Sequence, residues 1–357
     1  MKKRWIRIIS VTCIVTVTLW FLQRLLMPKY MTDIVEGSLI EEYYDETTDH
    51  DVIFVGDCEV YENFSPMTLW EDYGITSYIR GSAQQLIWQS YYLLEETLRY
   101  EIPKVVVFNV LSMKYNDPQN EAYNRMTLDG MKWSMSKYNS IESSMLEEEN
   151  MLDYIFPLLR YHSRWDELST EDITYLFHKD KIAHNGYYMR VDTKGVTTVP
   201  EGKKLTNYQF GDRAYEYLDK MTQLCKDNGI EFVLVKAPSV YPYWYDEWDQ
   251  QMVEYANKNN LTYINFLDKV DEVGIDFTTD TYDTGLHMNL SGAEKCSKYL
   301  GQILMDDYKL KDHRKEKEYA SVYKEKLEFY NAMKEDQYNE LEQYGYLKSY
   351  GAKPTDE

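Results

Sequence analysis

Val52-Ile53-Phe54-Val55-Gly56-Asp57-Cys58-Glu59 is the stretch on which the fold turns. Four apolar residues in a row, closed by a glycine, spell a strand buried on both faces, not one with a wet side. Four more short apolar runs follow, at Thr76–Ile79, Val105–Phe108, Phe232–Val235 and Tyr263–Phe266. Between them, Gln84–Tyr100 and Tyr208–Asn228 repeat apolar residues at the i, i+3, i+4 spacing of a helix. Gly229 offers the second of these a stop. A last helix is expected over Leu290–Met305, with Ser291-Gly-Ala-Glu294 as a capping box at its start. Strands alternating with helices predict an α/β domain with a mainly parallel, five-stranded sheet covered on both faces.

Two stretches stand outside this alternation. Residues 113–205 hold helical pieces at Ile141–Tyr161 and Thr170–His178 and a short strand signal at Tyr187–Val191. They read as a helical insertion that caps the sheet. Residues 309–357 are highly charged with scattered Tyr and Leu, which predicts a solvated helical tail, loosely packed or projecting. The expected organisation is a cytoplasmic stub and anchor over 1–30, an α/β domain over 31–308 with its insertion, and the tail.

The anchor rests on the uncharged, mostly apolar run from Ile8 to Gln23, preceded by Lys2, Lys3, Arg4 and Arg7. Carried on through Leu25, Leu26 and Met27 it reaches about 20 residues, one bilayer crossing. Trp5 and Trp20 suit the headgroup zones, and Arg7 and Arg24 can snorkel to them. The run ends in Arg-Leu-Leu-Met-Pro-Lys-Tyr, without the small residues that a cleaved signal peptide wants. The reading is therefore a single-pass helix in the cell membrane, N-terminus in the cytoplasm and body outside. A cleaved signal and a buried core helix are the alternatives.

Charge narrows the partners. The chain carries 39 basic and 60 acidic residues, net −21. The first thirty residues hold six of the basic ones and no acid, which leaves 33 against 60, a body of −27. Such a body suits no nucleic acid, whose phosphates need cations. Aromatic content of 15% excludes wholesale disorder. Cys13, Cys58, Cys225 and Cys296 make no disulfide framework, and the six histidines show no metal-ligand spacing. No metal and no cofactor are expected.

In an open parallel sheet, ligands bind at the carboxyl ends of the strands. Cys58 follows the first strand, Gly81 the second and Asn109 the third; Asp283 and His287 precede the last helix. These are groups for acyl transfer: Cys58 as nucleophile, His287 as base, Asp283 to orient it, the Gly81 N–H and the Asn109 amide for an oxyanion. Asp280 is a fallback partner for His287. Each residue also has a structural reading: Cys58 as a small buried hydrophobe, Asp57 as a cap, Gly81 as a conformational need, Asn109 as a strand-end cap, Asn289 as part of a turn. Tyr243, Trp244 and Trp248 follow the fourth strand and are candidates to stack on sugar rings or line an acyl channel, or to pack as a lid on their own core.

These blocks resemble the SGNH/GDSL hydrolase-like superfamily. Gly56-Asp57-Cys58 stands where that family has Gly-Asp-Ser, Gly81 matches its lone glycine, Asn109 its asparagine, and Asp283…His287 its closing Asp-His block. The resemblance covers roughly residues 50–110 and 205–305 and implies a three-layer α/β/α sandwich. The membrane-anchored cell-envelope branch, with its D-alanyl and polysaccharide O-acetyl transfer members, looks nearest. Three departures are visible. Cysteine replaces serine, Asp283 lies four residues before His287 and not three, and Asn109 lacks the flanking Gly and Asp.

The resemblance implies an extracytoplasmic esterase or acyl-transfer enzyme working through a covalent acyl intermediate. Its partners would be an envelope polysaccharide or an acylated carrier. The acidic body favours a neutral polysaccharide or lipid-carried acyl group over a polyanionic one. The competing reading is a non-catalytic accessory protein on a degenerate fold, partnering a membrane-bound acyltransferase.

Overall fold

The computed structural model describes residues 2–27, 36–178, 181–199 and 201–350. The expected domain boundary at residues 30 and 31 lies outside them. Helix α1, Lys2–Leu26, is long and apolar enough to cross a membrane and has none of its apolar window buried in the protein. Its 25 residues span about 37 Å at ~1.5 Å per residue, more than the roughly 30 Å of a hydrocarbon core. Short helix α2, Glu36–Glu42, leads into the body.

The sheet has strands β1 (Val52–Gly56), β2 (Ser77–Gly81), β3 (Val105–Asn109), β4 (Glu231–Lys236) and β5 (Thr262–Asn265), in the order β2-β1-β3-β4-β5, every pair parallel. β1, β2 and β3 are buried throughout, which is why they read as unbroken apolar runs. Alternate residues serve two cores. Val52, Phe54, Val105, Val107, Val233 and Val235 face one layer. It is built by α3 (Cys58–Asn63), α4 (Pro66–Tyr73) and α14 (Leu290–Tyr308). Ile53, Val55, Val106, Phe108, Phe232 and Leu234 face the other. That layer holds α5 (Ile87–Thr97), α11 (Asp212–Asp227) and α12 (Asp246–Asn259). The result is the three-layer α/β/α sandwich with a five-stranded parallel sheet.

The insertion holds α6 (Glu121–Leu128), α7 (Met135–Ser144), α8 (Met151–Ile155), α9 (Leu158–Tyr161) and α10 (Thr170–Phe177). The single helix expected over 141–161 is broken, because Asn150 caps a new start and Pro157 begins another. Tyr187–Val191 is not a strand; it contributes one isolated bridge, His184 with Tyr187. The segment nonetheless lies along β2, where Ile79 donates its N–H to the Asn185 carbonyl at 2.9 Å. Short helix α13, Val270–Val273, follows β5.

The tail corrects the expectation of loose packing. Helix α15, Lys317–Tyr344, buries Tyr323, Tyr330 and Gln337, one every seven residues. Tyr323 stacks on Trp70 at 4.0 Å, and Tyr330 and Leu347 join the first core. Each buried aromatic contributes about 2 kcal/mol, so α15 is part of the domain. The cap of α14 also differs. Asn289, not Ser291, accepts from the Gly292 N–H, while the Ser291 hydroxyl donates to Asp280.

Candidate functional site

The first strand ends on a turn that only glycine fits. Gly56 has φ +152, and a Cβ there would stand 2.4 Å from Val60 Cγ2. Asp57 then caps α3, accepting from the Glu59 N–H at 3.2 Å, and Cys58 opens the helix half-buried. Gly81 stands across from this turn; a Cβ on it would meet the Gly56 carbonyl at 3.0 Å. The glycine is thus required by close approach, beside the nucleophile candidate.

The base candidate is held by the loop before α14. Asp283 accepts the N–H groups of Leu286 and His287 at 3.2 and 2.8 Å on one oxygen, and its other oxygen lies 2.7 Å from His287 Nδ1. The extra residue between Asp283 and His287 is absorbed by a left-handed turn, Thr284 at φ 67 and Gly285 at φ 94. Asp280 is engaged elsewhere, with Lys295 at 2.6 Å and Ser291 at 2.8 Å. With Nδ1 taken, His287 Nε2 is buried and without another hydrogen-bond partner among the described residues, and the imidazole acts on the Cys58 thiol beside it.

Helix α3 connects the two halves. Asn63, at its end, accepts the Met288 N–H at 2.8 Å and donates to Ser239 at 3.3 Å. Glu62, one turn after Cys58, is buried and comes within 3.4 Å of His287 Nδ1. The Tyr282 hydroxyl donates to Glu62. The Tyr282 ring lies nearly parallel to His287, 20° apart, with the Arg190 guanidinium 4.4 Å over it. Sequence reasoning missed Glu62 and Tyr282. The i, i+4 spacing from Cys58 was the available signal for Glu62.

Burial pushes the Cys58 thiol above its ordinary range; His287 pulls the other way, and Asp57 and Glu62 add to the rise. Burial also disfavours the imidazolium of His287, but Glu62, Cys58 and Asp283 together outweigh it and hold this group well above the usual imidazole value.

The Asn109 amide, expected to serve the oxyanion, is engaged elsewhere. Its amide donates to Asp57 at 3.0 Å and to Glu59 at 3.0 Å, and its carbonyl accepts the Ala237 N–H at 3.1 Å. Both donor hydrogens are spent, so its role is to hold the turn that carries Cys58. Glu59 in turn takes both of its oxygens to Lys236 Nζ at 3.0 Å, an ion pair fully out of solvent. Asp57, beside it, is raised to about 6 by burial first and by Glu59 second.

The aromatic loop is the other correction. Trp244 and Trp248 turn into the second core, 6.1 and 5.7 Å from the Phe210 ring, and Tyr243 packs on Tyr245 at 4.9 Å. The base of that loop reaches the site, where Val240 donates its N–H to the Gly285 carbonyl at 2.9 Å. Tyr115, after β3, lies near Asp57 and Cys58. Its hydroxyl is pushed up to about 12 by burial and then by Asp57 and Cys58, and Lys114 Nζ lies 4.9 Å over its ring. Among the described residues no group of three or more His, Cys, Asp or Glu could hold a metal ion.

Cys58, Cys225 and Cys296 are all unbridged. The last two are 1% and 0% exposed in different cores. Iodoacetamide on the native chain, followed by peptide mapping, is therefore expected to mark Cys58 and spare Cys225 and Cys296. A Cys58 bridged to either would defeat the nucleophile assignment.

No protein-family model matches the chain, and no curated protein matches it. Among solved structures it is similar to a protein from Bacteroides fragilis described as an acylhydrolase, at 12% identity over 75% of this chain and 94% of that one, with a TM-score of 0.37. It is also similar to a GDSL-like lipase from Bacteroides thetaiotaomicron, at 13% identity over 75% and 95%, with a TM-score of 0.36. Neither likeness is high enough to transfer a residue or an activity.

Proposed function

We propose that the chain is a membrane-anchored esterase or acyl-transfer enzyme whose body lies outside the cytoplasm. The observation that carries this is Cys58, on a glycine turn at a strand end, beside a His287 whose Nδ1 is locked to Asp283 and whose Nε2 has no other partner among the described residues. Cys58 Sγ attacks an acyl carbonyl and its proton passes to His287. The tetrahedral intermediate collapses, His287 returns the proton to the departing alkoxide, and a thioester remains on Cys58. Water or an acceptor hydroxyl, deprotonated by His287, then attacks the thioester; the C–S bond breaks and the departing Cys58 thiolate takes the proton back from His287. The Cys58 N–H, which as a first-turn donor has no partner within its helix, and the Gly81 N–H serve the oxyanion; Asn109 does not. An envelope polysaccharide or lipid-carried acyl group fits the acidic body better than a polyanion, although salt screens that effect beyond ~8 Å.

A second reading has its own support. Asn109 is withdrawn from the site and the thiol is held neutral by burial, as suits an accessory partner of a membrane acyltransferase. Incubating the full chain with a radiolabelled acyl thioester or activated ester separates the two. Label on Cys58 is expected, and its absence across a broad acyl panel would favour the accessory role.

The charge on His287 gives a pH test. The base must be neutral, and its raised proton affinity means that the neutral form appears only above the ordinary imidazole range, so kcat/KM on an ester should rise with pH there. Glu62→Gln removes one carboxylate that favours the imidazolium, so its ascending limb should move to lower pH, by about one unit. A limb that stays in place in Glu62→Gln would show that Glu62 does not tune the base.

A further inference from the structure

The end of α1 is held by the insertion. Arg164, in the 3-10 turn His162–Asp166, donates to the Leu26 carbonyl at 2.8 Å, one of the last-turn acceptors that a helix cannot satisfy itself. α1 also packs against α9, this turn and α10. If α1 crosses a bilayer, as the proposed function requires, these elements lie at its outer surface. They are also where the body exposes a concentration of large apolar side chains: Leu152, Phe156, Leu159, Trp165, Ile173 and Phe177. Trp165 is 71% exposed and Phe177 80%. Tyr154 and Tyr161 point inward, onto the Arg125 guanidinium at 4.0 and 5.2 Å. They fix α8 and α9 so that Leu152, Phe156 and Leu159 stay on the outer side.

We propose that residues 151–177 form a platform that lies in the outer headgroup zone beside α1, with the lipid bilayer as the partner of its apolar side chains. Scattered single apolar residues on a surface mean little, but six within 27 residues, continuous with the end of a membrane span, need a cover. Short amphipathic helices carrying Trp, Phe and Leu are suited to lie in that zone. The platform would hold the body against the membrane at two points and restrict its rotation about α1. The inference rests on the anchored reading of α1.

The test uses the full chain reconstituted into phosphatidylcholine vesicles, with flotation to establish that it is membrane-bound. Trp165 emission is obtained as the difference between wild type and Trp165→Phe, a change at an exposed site. Expected are a blue-shifted maximum and a loss of intensity with brominated lipid, stronger with bromines near the headgroups than deep in the chains. A water-like, unquenched Trp165 in chains that float overturns the platform and leaves the anchor standing. A blue-shifted but unquenched Trp165 means that protein, a second copy or another partner, covers the face, which also overturns it. Chains that do not float fail the anchor and the platform together.

Discussion

Cys58→Ala is expected to lower acyl transfer by roughly 10⁴-fold or more, since a catalytic unit that loses its nucleophile retains only binding and oxyanion effects. Its stability should stay within about 1 kcal/mol of wild type, because a single half-buried sulfur is removed. Cys58→Ser should behave differently. Burial keeps the Cys58 thiol protonated, so the wild-type nucleophile already depends on His287 to take its proton, as a serine hydroxyl would. Serine at this position therefore keeps the mechanism and should retain measurable turnover on a model ester. The measurement is steady-state hydrolysis by all three proteins, with thermal unfolding as the control. A wild type inert on esters and thioesters, with polymer binding intact in Cys58→Ala, would shift the assignment to the accessory role.

The parallel sheet made part of the site legible. Once Val52–Val55 is read as a two-face-buried strand, Cys58, Gly81 and Asn109 fall at strand ends without further assumption. Asp283 and His287 could be placed by their position before the last helix, and the turn through Thr284 and Gly285 explains their altered spacing. What stayed hidden was set by contacts far apart in sequence. Asn109 is diverted from the oxyanion by Asp57 and Glu59, 52 and 50 residues away, and Glu59 meets Lys236 across 177 residues. No local pattern announces such a pairing.

Other misreadings came from a strong local signal outweighed by a tertiary one. The Tyr243–Trp248 loop looks like a ligand wall because aromatic residues follow a strand. Its two indoles nevertheless pack against Phe210 in the second core. In the tail, the seven-residue spacing of Tyr323, Tyr330 and Gln337 was present but submerged in charge. A stripe of one residue per two turns is enough when each is a large side chain meeting a waiting core. Asn289 and Ser291 are both good N-caps; which one acts depends on Asp280, whose carboxylate claims the Ser291 hydroxyl.

Lys236→Met is expected to destabilise the domain by about 3–5 kcal/mol, the usual effect of breaking a buried ion pair from one side. Lys236 Nζ donates to both oxygens of Glu59 and to the Ala237 carbonyl, with neither charged group exposed. Without the cation, two buried carboxylates, Glu59 and Asp57, face each other across the Asn109 amide. Asp57 already shows the sign of the resulting pH dependence. Its folded value of about 6 lies above its ordinary 3.8. Its contribution to stability is therefore fully present below the unfolded value and is lost as pH rises through the folded one. Lys236 is one of the charges that pull Asp57 down, so removing it should raise Asp57 further, and the deficit of Lys236→Met should be larger at pH 8 than at pH 5. Lys236→Met with Glu59→Gln removes the unpaired charge and should recover much of the loss. Chemical denaturation of the full chain in detergent at the two pH values reads all three quantities. A Lys236→Met variant as stable as wild type at pH 8 would mean that the pair does not hold the turn carrying Cys58. A recovered double variant that also regains acyl transfer would show that the pair serves the nucleophile only by fixing Asn109 and Asp57 in place.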